Sequence, residues 1–202
     1  MNLPFNWFDI ALVLTLGLGV QRGRKHGMSE EAMLVLKWLA IVIVGGLGYG
    51  VLGDMISDST VFTRLAAYIM AYVVIALFIT VAFLVIKKMT NGKLVGSDVF
   101  GSGEYYLGMI AGVVRYTCIL IFALAFLNAR LYTHAEIASD LAFQNDVYGS
   151  NFFPKLYTVQ DDVFKNSFIG PHIQKELGFL LIKGTAPEHK ELQRKKETDP
   201  LN

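Results

Sequence analysis

The sequence predicts an all-α fold: an integral membrane four-helix bundle with a polar C-terminal extension that contains short amphipathic helices. Two features of the 202 residues predict this class: 53% are hydrophobic and only 17% are charged, and the apolar residues fall into long blocks. A soluble domain usually has about a quarter of its residues charged. A helix that crosses a bilayer needs about 20 consecutive apolar residues, which these blocks approach or exceed.

Four blocks are long enough, or nearly so, to cross a membrane. The predicted spans cover about residues 3–20, 32–52, 65–86 and 105–127. Four such blocks in succession argue against the buried helices of a soluble protein. No Lys or Arg precedes the first block, so we expect a retained anchor rather than a signal peptide. We therefore predict a transmembrane domain over residues 1–130.

Basic residues follow the first and third blocks and predict the orientation. They are Arg22, Arg24, Lys25, Lys87, Lys88 and Lys93. The segment after the second block instead carries Asp54 and Asp58. Short cytoplasmic loops are enriched in Lys and Arg, so the basic segments should be cytoplasmic and both termini should lie on the outer, periplasmic side. Ser29, followed by two glutamates, is predicted to cap the start of the second helix.

The chain becomes polar beyond the fourth block, and residues 131–183 are predicted to form an extramembrane region. Turn residues over 145–154 indicate a loop. Apolar stripes predict short amphipathic helices over 158–168 and 171–182. Residues 184–202 are charged and lack aromatic side chains, which is typical of a disordered tail.

Glycines spaced four residues apart mark faces on which helix backbones can approach closely. They are Gly19, Gly23 and Gly27, then Gly46 and Gly50, then Gly108 and Gly112. Such spacing is typical of membrane helices packed through small residues. The sequence leaves open whether these faces pack within one chain or between the protomers of a homo-oligomer.

Two charges within the apolar blocks could be functional. Arg115 would lie about 15 Å inside a span that begins at Tyr105, which is near the midplane. If the span instead starts near Gly112, Arg115 lies at the cytoplasmic edge and contacts headgroups. Asp9 lies close to the predicted outer interface. Because the two charges should lie at different depths, no pairing between them is predicted.

Several classes of function find no support in the sequence. Cys118 is the only cysteine and the four histidines are scattered, so neither a metal site nor a disulfide is predicted. The net charge of +1 gives no basic face for nucleic acid. No nucleophile–base pair or carboxylate pair can be placed on one surface. We therefore expect no cofactor, no metal, no nucleic acid and no enzymatic activity.

Two stretches resemble the colicin V production protein family. The first is Asn6-Trp7-Phe8-Asp9, an apolar run, then Gly23, Gly27 and Glu30-Glu31. The second is Ser97 to Gly101, followed by Gly108-x-x-x-Gly112-x-x-Arg115. The chain departs from the family at Tyr116, where glycine usually follows the motif arginine.

This resemblance implies a bacterial inner-membrane protein of four helices, linked to toxin export or biosynthesis and to envelope homeostasis. No chemical activity is assigned to the family. The candidate functional or helix-packing residues that it implies are Asp9, Gly23, Gly27, Asp98, Gly108, Gly112 and Arg115.

Two functional hypotheses follow from the sequence. The first is a non-enzymatic membrane factor that supports toxin production or secretion, or envelope homeostasis. Its partners would be the lipid bilayer and either further copies of the chain or other membrane proteins. The second is an oligomeric channel or transporter with Arg115 near the pathway.

Overall fold

A computed structural model describes residues 6–60, 62–89, 101–148 and 155–186. Its regular elements in these ranges are helical. The α-helices are α1 (Trp7–Ser59), α2 (Arg64–Met89), α3 (Glu104–Asn128), α4 (His134–Tyr148), α5 (Leu156–Phe164) and α6 (Gly170–Glu176). Single 3-10 turns cover Gly101–Gly103 and Gly178–Leu180.

Three helices in the described ranges, α1, α2 and α3, are long and apolar enough to cross a membrane. Large apolar side chains remain exposed along them, as Val51 on α1 and Phe78 on α2 illustrate. Such surface is stable when lipid rather than water surrounds it. The fold is therefore a helical membrane bundle as predicted, and α2 and α3 lie close to the predicted spans 65–86 and 105–127.

The first two predicted blocks form one helical run that is broken at Gly27. Gly27 has φ 73° and ψ 174°, a backbone conformation that is essentially restricted to glycine. On one side of it Gly19 packs against Gly112, and on the other Glu31 binds Arg115. Because residues before and after the break lie beside the same stretch of α3, α1 folds back on itself at Gly27.

This reversal corrects the prediction of a loop between the first two blocks, because the break at Gly27 lies within one helical run. Ser29 lies within the helical run, and its backbone N–H donates to Oε1 of Glu104, 2.6 Å away. A carboxylate from α3 thus binds an N–H group near the start of the second half of α1. At the start of α1 the N-cap is Asn6, whose capping box includes Asp9.

The hydrophobic core lies toward the ends of the helices farthest from Gly27. Phe8 and Val42, from the two halves of α1, belong to the same buried cluster as Tyr72 of α2 and Leu124 of α3. A straight helix would hold Phe8 and Val42 about 50 Å apart, at 1.5 Å per residue. Their presence in one cluster is independent support for the reversal.

The C-terminal region packs against this core end. Leu180 backbone atoms lie where a side chain on Gly46 would be, and the N–H of Lys183 donates to the Tyr49 hydroxyl at 2.9 Å. The two amphipathic helices are shorter than the predicted ranges 158–168 and 171–182. The first, α5, ends at Phe164, and the second, α6, ends at Glu176.

The remaining C-terminal predictions differ from the structure in part. Residues 145–148, predicted as loop, belong to α4. Residues 149–154, and 187–202 of the predicted tail, lie outside the described residues.

Candidate functional site

Glycines of α1 and α3 meet at the Gly27 end of the bundle. A Cβ on Gly23 would overlap the carbonyl of Gly108, and one on Gly112 would overlap the carbonyl of Gly19. Gly108 also packs against the backbone of Gly27. The two backbones can approach this closely only because neither helix has side chains at the contact. The α1 and α3 glycines thus pack within the chain, whereas Gly46 packs against Leu180 and Gly50 meets no atom within 4 Å.

A buried ion pair joins the second half of α1 to α3. Nη1 of Arg115 donates to both carboxylate oxygens of Glu31, at 3.1 and 3.0 Å. The Glu31 side chain is only 1% exposed and that of Arg115 is 18% exposed. Nδ1 of His26 lies 3.8 Å from the same carboxylate. Each charge therefore depends on its partner, because an unpaired charge in such a place would be costly.

The ion pair borders a cavity of about 680 Å³ between α1, α2 and α3. Four Lys or Arg side chains and two glutamates line it, so its charge is positive. The lining residues are Gln21, Arg22, Lys25, His26, Glu30, Glu31, Met33, Leu34, Lys87 and Arg115. We call this space the basic cavity.

Tyr116 orients one of the cationic side chains of the basic cavity. Its hydroxyl accepts a hydrogen bond from Nη1 of Arg22 at 2.9 Å, and its ring lies 5.7 Å from the Arg115 guanidinium. Tyr116 thus contacts both arginines from its position on α3. The residue at which the chain departs from the family pattern therefore contacts two arginines that line the cavity.

Asp9 lies at the opposite end of the bundle. Its side chain is 1% exposed and accepts hydrogen bonds from the backbone N–H groups of Asn6, Phe168 and Ile169, at 3.0 to 3.2 Å. Two of these donors belong to the segment that joins α5 to α6. Asp9 therefore ties the start of α1 to the C-terminal region, and it does not contact Arg115.

The structure brings together most of the residues that the sequence singled out. Gly23, Gly27, Gly108, Gly112 and Arg115 lie at the Gly27 end. Asp9 lies at the other end, and Asp98 lies outside the described residues.

Sequence reasoning missed the roles of two acidic residues at this end. Glu31 was assigned to a helix start, although it is the buried partner of Arg115. Glu104 was not singled out, although it binds Ser29 and packs on Gly27. A signal was available, because an arginine within a membrane helix requires a partner and Glu31 is an acid inside the family motif.

The side chains of the site suit a negatively charged ligand. Among the described residues, no group of three or more His, Cys, Asp or Glu side chains is close enough to hold a metal ion. The positive charges of the basic cavity instead favour a negatively charged ligand.

Comparison with known proteins places the chain in a family. The family model described as Colicin V production protein matches residues 8–173, which include both ends of the bundle. Comparisons with curated proteins and with solved structures give no match. Because the family model covers most of the sequence, the chain belongs to the colicin V production protein family.

Proposed function

We propose that the chain is a multi-pass protein of the bacterial inner membrane that supports toxin (bacteriocin) production or secretion, or envelope homeostasis, without catalysis of its own. The observation that carries this proposal is how the buried carboxylates are used. Asp9 binds backbone N–H groups and Glu31 binds Arg115. Both are committed to holding helices together, so neither is available for acid–base chemistry at a substrate.

In this proposal α1 crosses the membrane twice, so that the bundle has four crossings. The Gly27 end lies in the cytoplasm because it carries the basic residues, and both termini are periplasmic. The C-terminal region then forms an outer platform on the core end of the bundle. Contacts with a partner would use the lipid-facing helices or this platform, since the glycine faces of α1 and α3 are occupied by each other.

Deletion and complementation in the source bacterium test the proposed role. Loss of the chain should lower the amount of toxin secreted or weaken the envelope against detergents, and the wild-type sequence should restore either property. A variant with the Gly23→Leu substitution, which blocks the contact with α3, should not restore it. Unchanged secretion and an unchanged envelope barrier after deletion would contradict the proposal.

A channel or transporter is the second candidate function, favoured by the place of Arg115 beside a cavity of about 680 Å³. Purified protein in liposomes should then conduct ions or transport a small anion. Arg115→Lys keeps the positive charge but should change the selectivity of this flux. The matched control is Arg24→Lys, because Arg24 is exposed and does not line the cavity. Absence of flux under any applied gradient would exclude this function.

A further inference from the structure

The basic cavity borders an apolar groove between α1 and α2. Next to it is a space of about 100 Å³ that shares Met33, Leu34 and Lys87 with the basic cavity. A further space of about 210 Å³ follows, shares Lys37 and Thr80 with the second, and is otherwise mainly apolar. We call these two smaller spaces the α1–α2 groove.

The groove has the dimensions and lining of an acyl-chain site. It extends along α1 from Met33 to Ile41, which is about 12 Å at 1.5 Å per residue. Its far part is lined by Trp38, Val73 and Leu77 among others. Lys37 lines both parts, with its ammonium 5.5 Å from the centre of the Trp38 ring. A long lysine side chain in this position can extend toward a polar headgroup while its methylenes contact the chain.

The charges of the basic cavity fit an anionic group at the head of this groove. Among the side chains that line the cavity, the cations Arg22, Lys25, Lys87 and Arg115 outnumber the carboxylates Glu30 and Glu31. Basic pockets between membrane helices on the cytoplasmic side are known to bind anionic headgroups. Phosphate is well matched to such a set of Arg and Lys donors.

We propose that the basic cavity and the α1–α2 groove together bind one anionic phospholipid. The phosphate headgroup occupies the cavity near Arg22, Lys25 and Lys87, and one acyl chain lies along the groove past Trp38. A free phosphate would use the cavity alone and would leave the adjoining apolar groove without a function. The adjacency of the cavity and the groove, which share Met33, Leu34 and Lys87 in their walls, is what assigns the site to a lipid.

Trp38 provides a direct probe of the groove. The chain has two tryptophans, and Trp7 lies at the other end of the bundle, where its indole N–H donates to Asp162. In a Trp7→Phe variant, fluorescence therefore reports on Trp38 alone. Lipids with brominated acyl chains quench tryptophan at short range, so we expect brominated phosphatidylglycerol to quench Trp38 more strongly than brominated phosphatidylcholine in mixed vesicles.

Two double variants separate a defined site from general attraction to anionic lipid. In the Trp7→Phe background, Lys25→Gln with Lys87→Gln removes two charges that line the cavity. Arg24→Gln with Lys88→Gln removes two exposed neighbours that do not. The Lys25→Gln, Lys87→Gln variant should lower the preference for the anionic lipid by about five-fold per lysine. The Arg24→Gln, Lys88→Gln variant should keep this preference. Equal quenching of Trp38 by brominated phosphatidylglycerol and brominated phosphatidylcholine would overturn the proposal. So would an equal loss of the preference for the anionic lipid in the two double variants.

Two further arms distinguish a lipid from a soluble phosphate. Thr80→Phe should fill the groove and reduce quenching of Trp38 by either brominated lipid; unchanged quenching would remove the acyl chain from the groove. Glycerophosphoglycerol, the headgroup without chains, should not displace brominated phosphatidylglycerol at millimolar concentration. Displacement would show that the headgroup alone is the ligand and would overturn the assignment to a lipid.

Discussion

Among the residues that the structure describes, each end of the bundle buries one carboxylate, and the two carboxylates are bound in different ways. At the Gly27 end, Glu31 is bound by the guanidinium of Arg115 beside the basic cavity. At the core end, Asp9 is bound by backbone N–H groups, including those of Phe168 and Ile169. At the Gly27 end the carboxylate thus pairs with a side chain of another helix, whereas at the core end it fixes the path of the backbone.

This contrast predicts which substitutions act on the whole bundle and which act locally. The Glu31–Arg115 pair joins two helices that span the bundle, so breaking it should affect global stability. The Asp9 contacts join one helix end to a short connecting segment, so losing them should loosen that segment first. Local opening of this kind is ordinary in proteins, because elements differ in the free energy needed to open them.

The largest effect is expected from breaking the ion pair. Arg115→Leu leaves the Glu31 carboxylate buried without its partner, and such a loss costs about 3–5 kcal/mol. Unfolding in a series of denaturing-detergent mixtures measures the change in free energy. Glu31→Gln combined with Arg115→Gln should cost less than the two single changes added together. Strict additivity would show that the two side chains do not stabilise each other.

A smaller global effect is expected from closing the glycine contact. Gly23→Ala places a methyl group on the Gly108 carbonyl, and forcing an extra carbon into a packed contact costs about 1–3 kcal/mol. Gly17→Ala is the matched control on the same half of α1, because a methyl group there meets no atom within 4 Å. The control should be neutral or stabilising, since alanine favours helix. Equal destabilisation by both would contradict the close approach of α1 to α3.

The most local effect is expected at the core end. Asp9→Asn keeps one acceptor oxygen and replaces the other by an amide that cannot accept, so at least one backbone N–H loses its partner. The cost should be about 1–3 kcal/mol and confined to the α5–α6 connection. Hydrogen exchange should accelerate at the amides of Phe168 and Ile169 and remain unchanged at Ser29. Equal acceleration at both ends would remove the distinction between them.

Much of the fold could be predicted from the sequence, because lipid requires long apolar helices. The blocks at 65–86 and 105–127 correspond closely to α2 and α3, since their apolar length sets the helix. The four-residue glycine spacing also predicted close helix contact. Asn6 followed by Asp9 is a capping-box pattern that could have located the start of α1.

The remainder depends on tertiary contacts that spacing in the sequence does not encode. Basic residues between the first two blocks suggested an open loop, whereas Gly27 alone provides the reversal. Glu31 lies 84 positions from Arg115, so local spacing does not identify that pairing, and only the general need of an intramembrane arginine for a partner pointed to an acid. The same is true of Asp9 and Phe168, which are 159 positions apart.

The reversal of α1 at Gly27 is the feature on which the site, the orientation and the lipid proposal all depend. Single cysteines at Asn2, His26 and Asp58, each in a Cys118→Ser background, test it through labelling with a membrane-impermeant maleimide on intact and permeabilised spheroplasts. We predict that Asn2→Cys and Asp58→Cys react from outside, whereas His26→Cys reacts only after permeabilisation. Labelling of His26→Cys from the same side as the other two would contradict the account.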